Sequence, residues 1–583
     1  MPRPGYAMLM LLAVVTLTAG ANEDFSSFLH RQRTAGLLSS QEELVLKVLG
    51  MANPAALPEP YRSLPRPPGK CGTMTLWEVR LEWPRLTDLQ RETLAPYVTR
   101  PSLALWLISP SGRFKVHYTT SGTHQTTESF AREAALAFDQ AYEVEVVQMG
   151  YPAPPPDNGV DGPEYDVYIQ NIADYGWTYP ESPVPETPAS DWTTYIIVDN
   201  DYSRGFYSMG LDGLRVTAAH EFFHAIHFGI REPQREPAAT ADLFYYEVSS
   251  TWMEDVVYDE VNDYYNYLNG FFQCPDLPFN TADGRREYGM AVWNHFVAKR
   301  VGREAIRESW QNMRTTHGMF AIRQALLARG LTFEDALAEF AVWNMFTGSR
   351  ADTVAFYPEG KHYPAMRLQR KDAFTERIEV ADSCKRLATK YYSFVPQLPA
   401  PYNAQLVSAE ASKWRLSVAV LGTGEAIFDY VPGATASFLG YLTPVDTVVL
   451  AVSRTHLGDE SGGGEANGFY RFATIVEPGS GSGRPPKGNT ILAVSANPFR
   501  MSQEGVLTVL IHSESDQEAT VSVRDMHGRR VLEQWLGTLP AGRVHPWIWD
   551  GRNDRGAIVA SGVYVIVVRF ASDVAVEKVA VLR

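Results

Sequence analysis

Cysteine is scarce in this chain. Only Cys71, Cys274 and Cys384 occur among 583 residues. That number excludes a disulfide-built scaffold; in an oxidising compartment one pair could close and leave a thiol over. Basic excess is also missing, since 52 Lys and Arg face 67 Asp and Glu for a formal net charge of -15. A nucleic-acid partner is therefore not expected, and the balance gives no support to a cationic, membrane-hugging surface. Nor is there a run of the roughly 20 apolar residues that a spanning helix needs, so no transmembrane segment is expected in the mature chain. No short-period repeat is visible. Apolar residues, by contrast, make up 45% of the chain, enough for sizeable cores distributed over roughly three or four domains.

The first 21 residues read as a signal peptide. Arg3 supplies positive charge, Met8 to Leu17 is an apolar run of h-region length, and Ala19-Gly20-Ala21 offers a small-x-small cleavage site before Asn22. The expected location is thus secreted or cell surface, and no cysteine follows the run to carry a lipid. Residues 22–105 form an N-terminal segment or propeptide. It contains a short helix from Gln41 to Met51 and six prolines between Pro54 and Pro68 that forbid one regular element.

Residues 106–355 alternate strand and helix signals. Phe114–Tyr118, Tyr165–Ile169 and Thr194–Val198 read as strands, and Glu128–Tyr142 as a helix capped by Thr127. A long helix from Leu214 to Phe228 follows. Leu214, Ala218, Phe222, Ala225 and Ile226 form its apolar stripe, and Gly229 ends it. From Ala238 to Phe346 the pattern is helical.

That long helix carries His220-Glu221-Phe222-Phe223-His224. Two histidines at i and i+4 share one helix face and can share one Zn²⁺. Glu221, adjacent to the first, suits the general base that deprotonates a metal-bound water. The pattern implies a zinc metallopeptidase with Zn²⁺ as cofactor and a protein or peptide as substrate. Position 230 is Ile, so the third ligand must lie farther along. Phe244 to Asp255 is helical in pattern, and Glu247 and Glu254, seven apart, can both face the site.

Here the sequence resembles the gluzincins, whose third ligand is a Glu on the next helix. Glu247-Val248-Ser249-Ser250 takes the place of the Glu-Gly-x-Ala pattern of aminopeptidase-N-like members, with Gly and Ala changed. Glu247 is preferred as the ligand over Glu254; the other becomes an acid that orients a ligand histidine. Tyr288, in Glu287-Tyr288-Gly289-Met290-Ala291, loosely matches the family's oxyanion-donating Tyr and stands against a plain core or surface tyrosine. His227 is read as an orienting or surface group, because a fourth ligand would close the water position. Asp255 and Asp259 are read as solvated. For Cys71, in Gly69-Lys70-Cys71-Gly72, a disulfide or inert thiol is preferred to a thiolate that blocks the metal for latency, as some zinc proteases arrange.

Residues 356–478 read as a β-sandwich module, with strands at Tyr391–Val395, Trp414–Val418 and Thr447–Val452; 479–488 is a Gly/Ser-then-Pro linker. In residues 489–583, Val506–Ile511 and Val563–Val568 are strands. Asp525-Met526-His527-Gly528 and Trp549-Asp550-Gly551 are expected to close hairpins. With Asn497-Pro498-Phe499 and Ala560-Ser561-Gly562-Val563-Tyr564, these turns resemble the Ig-like domain of the flagellar hook-assembly scaffold and the sorting domains of type IX secretion cargo. The resemblance implies secretion or cell-surface machinery as a partner. As a whole the chain resembles bacterial exported metalloproteases with trailing β modules. The fold expected is multidomain: an α+β zincin-like catalytic domain, then two Ig-like β-sandwich modules. The rival reading is a non-catalytic surface or adhesion protein with a degenerate zincin domain. An exported aminopeptidase is weaker, for want of an amine-holding acidic segment upstream of the motif.

Overall fold

The computed structural model describes residues 23–66, 69–185, 190–203, 205–234, 241–374, 377–397, 400–408, 411–421, 427–432, 436–442, 447–457, 468–476, 488–494, 497–501, 506–541 and 544–583. The expected signal peptide and nearly all of the expected linker lie outside them. Among the described residues no helix is long and apolar enough to cross a membrane. The chain forms two compact units. Described residues up to Phe271, with Asn280–Gly330, make the first; Phe272–Phe279 and those from Leu331 onward make the second.

The first unit begins with helices α1 (Phe25–Thr34) and α2 (Ser40–Ala52), then strand β1 (Gly69–Cys71), α3 (Thr73–Glu82) and α4 (Asp88–Leu94). Ser39 and Glu42 close a capping box at the start of α2, and so fix where that helix begins. Next come β2 (Leu105–Ile108), β3 (Phe114–Tyr118), α5 (Glu128–Tyr142), β4 (Tyr165–Gln170), β5 (Asp174–Pro183) and β6 (Trp192–Asp199). The helical half holds α6 (Gly210–Phe228), α7 (Leu243–Val257), α8 (Asn269–Phe272), α9 (Arg286–Gly289), α10 (Ala291–Val301), α11 (Glu304–Asn312) and α12 (Gly318–Leu327).

One six-stranded sheet organises this unit, in the order β1-β5-β6-β4-β3-β2. Strands β3, β4 and β6 run parallel; β5 is antiparallel to β6, and β1 lies parallel to β5 at the edge. The segment 22–105 is therefore built into the sheet. Its Met51 and Leu76 share a core with Tyr168, Trp177, Tyr195 and Ile197. Sequence periodicity missed β1, a three-residue strand too short to show alternation.

Helix α6 packs against β5, β6, α5 and α7. The five residues of the expected apolar stripe are buried, but so are the other faces of the helix. From Gly213 to Phe228 every residue except Arg215 is buried. A helix enclosed by sheet and helices has no solvent face, so its polar residues must find internal partners.

The second unit includes α13 (Phe333–Trp343), which precedes the expected 355/356 boundary. Ser417 Oγ donates to the Ala338 carbonyl, and Arg415 pairs with Asp335, tying α13 to a strand. Nine strands follow: β7 (Arg370–Phe374), β8 (Arg377–Cys384), β9 (Thr389–Pro396), β10 (Ala400–Val407), β11 (Trp414–Leu421), β12 (Ile427–Pro432), β13 (Ala436–Leu442), β14 (Thr447–Arg454) and β15 (Gly468–Val476). They form sheets β13-β10-β15-β8 and β12-β11-β14-β9-β7. Trp414, Leu416, Leu450, Phe394, Leu406 and Tyr470 belong to their common core.

The C-terminal strands are β16 (Thr490–Val494), β17 (Phe499–Arg500), β18 (Leu507–His512), β19 (Gln517–Asp525), β20 (Arg530–Leu539), β21 (Val544–Trp549), β22 (Gly562–Phe570) and β23 (Val574–Leu582). They form sheets β16-β18-β21 and β17-β23-β22-β19-β20. The Asp525–Gly528 turn does join β19 to its antiparallel neighbour β20. Trp549-Asp550-Gly551 closes no hairpin: β21 pairs with β18, whereas β22 pairs with β19.

Candidate metal centre

Gly176 lets α6 approach the sheet. A Cβ there would stand 2.6 Å from Thr217 Cγ2 and 3.0 Å from the Ile197 carbonyl oxygen. This close approach seats Glu221 over β5. Thr178 Oγ1 donates to Glu221 Oε2 at 2.9 Å, and Thr73 Oγ1 donates to the same oxygen at 3.0 Å. Glu221 Oε1 is buried without a hydrogen-bond partner. Burial pushes this carboxyl up to about 7, the range in which a group can both take and return a proton near neutrality.

The two motif histidines turn their Nε2 atoms toward each other, 3.1 Å apart. From α7, Glu247 Oε2 reaches 3.2 Å from His220 Nε2 and 3.5 Å from His224 Nε2. The outer nitrogens are held from behind: His220 Nδ1 lies 2.7 Å from Glu254 Oε1, and His224 Nδ1 lies 3.3 Å from Ser250 Oγ. The seven-residue spacing thus brings both acids to His220, one on each ring nitrogen. Glu247 stands among the converging atoms; Glu254 stands behind the ring.

Burial lowers the pKa of both histidines, that of His224 to about 3. Neutral imidazoles keep a lone pair for a metal. Cys71 Sγ completes the group: ligand atoms of Cys71, His220, His224 and Glu247 all lie within 4.8 Å of one another. Glu247 Oε1 is buried and unpartnered. Two nitrogens, a carboxylate and a sulfur, with an orphaned oxygen beside them, suit Zn²⁺.

Another layer stands behind Glu254. Lys70 Nζ donates to Glu254 Oε2 at 2.8 Å and also bonds Asp263 Oδ2. Burial opposes the charge on Lys70, but Asp263 and Glu254 outweigh it and hold the ammonium above the ordinary lysine value. Burial pushes Glu254 up to about 8, against the pull of Lys70. Asp263 Oδ1 accepts from Tyr175 Oη at 2.9 Å and from Ser208 Oγ at 2.7 Å. Local sequence pattern assigns no role to Lys70, Thr73, Thr178 or Asp263; the Gly69-Lys70-Cys71-Gly72 segment is the one signal near them, and it points to its thiol alone.

Tyr288 lies on α9, with its ring centroid 6.5 Å from that of His220. Burial, then the charge of Glu247, pushes its phenol well above the usual value, so it keeps its proton to donate. Two expectations are corrected. His227 is no surface group: it is buried, stacks on Trp310 at 3.6 Å between centroids, and is absent from the ligand cluster. Asp255 is buried rather than solvated, because α7 is enclosed on nearly all sides; Asp259 is exposed. A second group, His117, Asp161 and Asp166, is already neutralised by Arg100 on Asp166 and Lys115 on Asp161.

Residues 498–573 match the family model of the FlgD Ig-like domain, so the chain carries such a domain at its C-terminus. No curated protein matches the chain. Among solved structures, PorZ of Porphyromonas gingivalis, a bacterial surface component of the type-IX secretion system, aligns at 26% identity over 19% of this chain and 14% of its own, with a TM-score of 0.14. Latent PorU of the same organism aligns at 13% identity over 36% and 19%, TM-score 0.14. A GH2 beta-galacturonidase of Eisenbergiella tayi aligns at 12% over 36% of each chain, TM-score 0.14. The match thus spans about one seventh of PorZ, and such scores carry nothing about shared overall fold or activity.

Proposed function

We propose that this chain is an exported zinc-dependent metallopeptidase of zincin-like type. The observation that carries the reading is the convergence of His220 Nε2, His224 Nε2 and Glu247 Oε2 within 3.5 Å, with the buried Glu221 beside them on the same helix. When bound, Zn²⁺ supplies polarisation of the scissile carbonyl and acidification of a water. His220, His224 and Glu247 would hold it. Glu254 fixes the ring of His220 through Nδ1 and leaves Nε2 for the metal. Glu221 takes the proton of the attacking water and returns it to the leaving amine; Thr73 and Thr178 hold its Oε2 and leave Oε1 for that exchange. Tyr288 donates to the oxygen that gains negative charge. The C-terminal FlgD-type domain supports a role in sorting or surface attachment.

The test is Glu221→Gln, with zinc counted by elemental analysis and cleavage followed on casein. Zinc should stay at one equivalent while cleavage falls by about 10²–10⁴-fold, the usual worth of a general acid-base group. Normal cleavage by that variant refutes the assignment.

A further inference from the structure

We propose that Cys71 is a fourth protein ligand of the metal and that the Gly69–Gly72 segment is a built-in plug that keeps the centre latent. This rests on the metallopeptidase reading above.

Four observations carry it. First, Cys71 is a thiol, not half of a disulfide, and its sulfur belongs to the same cluster as the two histidines and Glu247. Three protein ligands leave a place for water; a fourth fills it. Second, the segment is fastened into the sheet edge beside the site. Gly69 pairs with Asp174 and Cys71 with Gly176, and the Gly72 amide donates to the Gly176 carbonyl at 3.2 Å. An extended chain here takes up the edge of β5, the strand that carries Thr178 of the Glu221 network, so no other extended peptide can pair there.

Third, the segment is shaped for the place. A Cβ at Gly69 would fall 1.9 Å from Asp174 Oδ1, and one at Gly72 2.2 Å from Met51 Cε. A side chain at either position would require the Asp174 carboxylate or the Met51 side chain to give way. Lys70 adds a buried anchor to Glu254 and Asp263. Fourth, the centre is closed: His220, Glu221, His224 and Glu247 are each at most 2% exposed. A peptidase with its general base fully enclosed cannot admit a polypeptide until something moves. Of the surrounding elements, β1 is the outermost strand on this edge and brings the thiol itself.

On ligation the thiol loses its proton to solvent and the thiolate sulfur gives an electron pair to the metal; no oxidant is needed. Withdrawal of β1 as far as Cys71 would restore the water position and expose the edge of β5 in one motion, with Thr178 still holding Glu221 Oε2.

The experiment uses the full chain loaded with Co²⁺ in place of zinc. Wild type should show sulfur-to-cobalt charge-transfer absorption in the near ultraviolet. Cys274→Ala and Cys384→Ala should keep the band. Cys71→Ala and Cys71→Ser should lose it while retaining one equivalent of metal and an unchanged circular dichroism spectrum. In zinc-loaded protein, casein cleavage by Cys71→Ala should rise at least about ten-fold over wild type, one decade in rate. A metal-loaded wild type without the band, or a loaded Cys71→Ala no more active than wild type, overturns the proposal and leaves the metallopeptidase reading standing. Failure of wild type and Cys71→Ala alike to bind any metal overturns both.

Discussion

Replacing Lys70 with Met removes the one cation from a cluster of three ionisable side chains, each at most 2% exposed. Breaking a buried pair by deleting one partner typically costs about 3–5 kcal/mol, because the remaining charge stays buried without its counterion. Here two carboxylates lose the same partner, yet the cost should fall at the low end. Burial raises Glu254 to about 8 even with Lys70 beside it, so without Lys70 it is protonated at neutral pH. Asp263 keeps donors from Tyr175 and Ser208. The Met side chain can also lie between the Tyr175 and Tyr267 rings that flank Lys70 Nζ at 4.7 and 5.0 Å. One uncompensated charge then remains, for a loss of about 3 kcal/mol. For a unit of about 300 residues, at roughly 2.1 cal/mol/K per residue, that corresponds to a fall in Tm of about 5 °C. Calorimetry of the metal-free chain, with hydrogen exchange on peptides from β5 and α7 to assign the transition, measures it. The double variant Lys70→Met, Asp263→Asn should recover part of the loss. A single variant whose transition stays within about 1 kcal/mol of wild type would refute the claim that this cluster anchors the strand.

The two acids of α7 should separate by metal affinity. Glu247→Ala should lose tight zinc binding, whereas Glu254→Gln should bind zinc about 10–100-fold more weakly, as expected when a partner of a ligand histidine is lost; titration against a competing chelator reads both, and the reverse order would exchange their roles. Glu145 is buried with neither carboxylate oxygen partnered, and burial raises its pKa well above the usual value. Above the ordinary carboxylate pKa the unfolded chain releases this proton while the folded chain retains it. The folded state is therefore favoured most below about pH 4.5 and loses up to about 1.4 kcal/mol per pH unit as pH rises. Glu145→Gln should remove that loss, so its Tm advantage over wild type should grow from pH 4 to pH 8; a constant or shrinking difference contradicts the argument.

Local patterns were the legible part of this chain. The i and i+4 histidines, the acid beside the first, and the two acids seven apart on the next helix depend only on helical periodicity, and α6 and α7 place them accordingly. Thr127 at the head of α5 and strands β3, β4 and β6 are equally short-range signals, whereas β1, β2 and β5 are not read from local pattern. The same periodicity misjudged exposure. It could not show that α6 and α7 would be enclosed, so it leaves His227 open between an orienting and a surface role and Asp255 solvated, whereas both are buried.

What the sequence by itself determined is which groups one helix and the next carry: two imidazoles and a carboxylate on α6 and two carboxylates on α7, held by spacings of one, four and seven residues that the α-helix enforces. Only the tertiary structure decided that Glu247 stands beside the Nε2 atoms of both histidines and Glu254 on His220 Nδ1, and only it brought Cys71, Lys70 and Thr73 to this cluster. The physical reason is distance along the chain. Thr73 meets Glu221 across 148 residues and Lys70 meets Glu254 across 184. Such contacts arise from the order of strands in a sheet and from burial that obliges every charge to find a partner, and no local pattern encodes either.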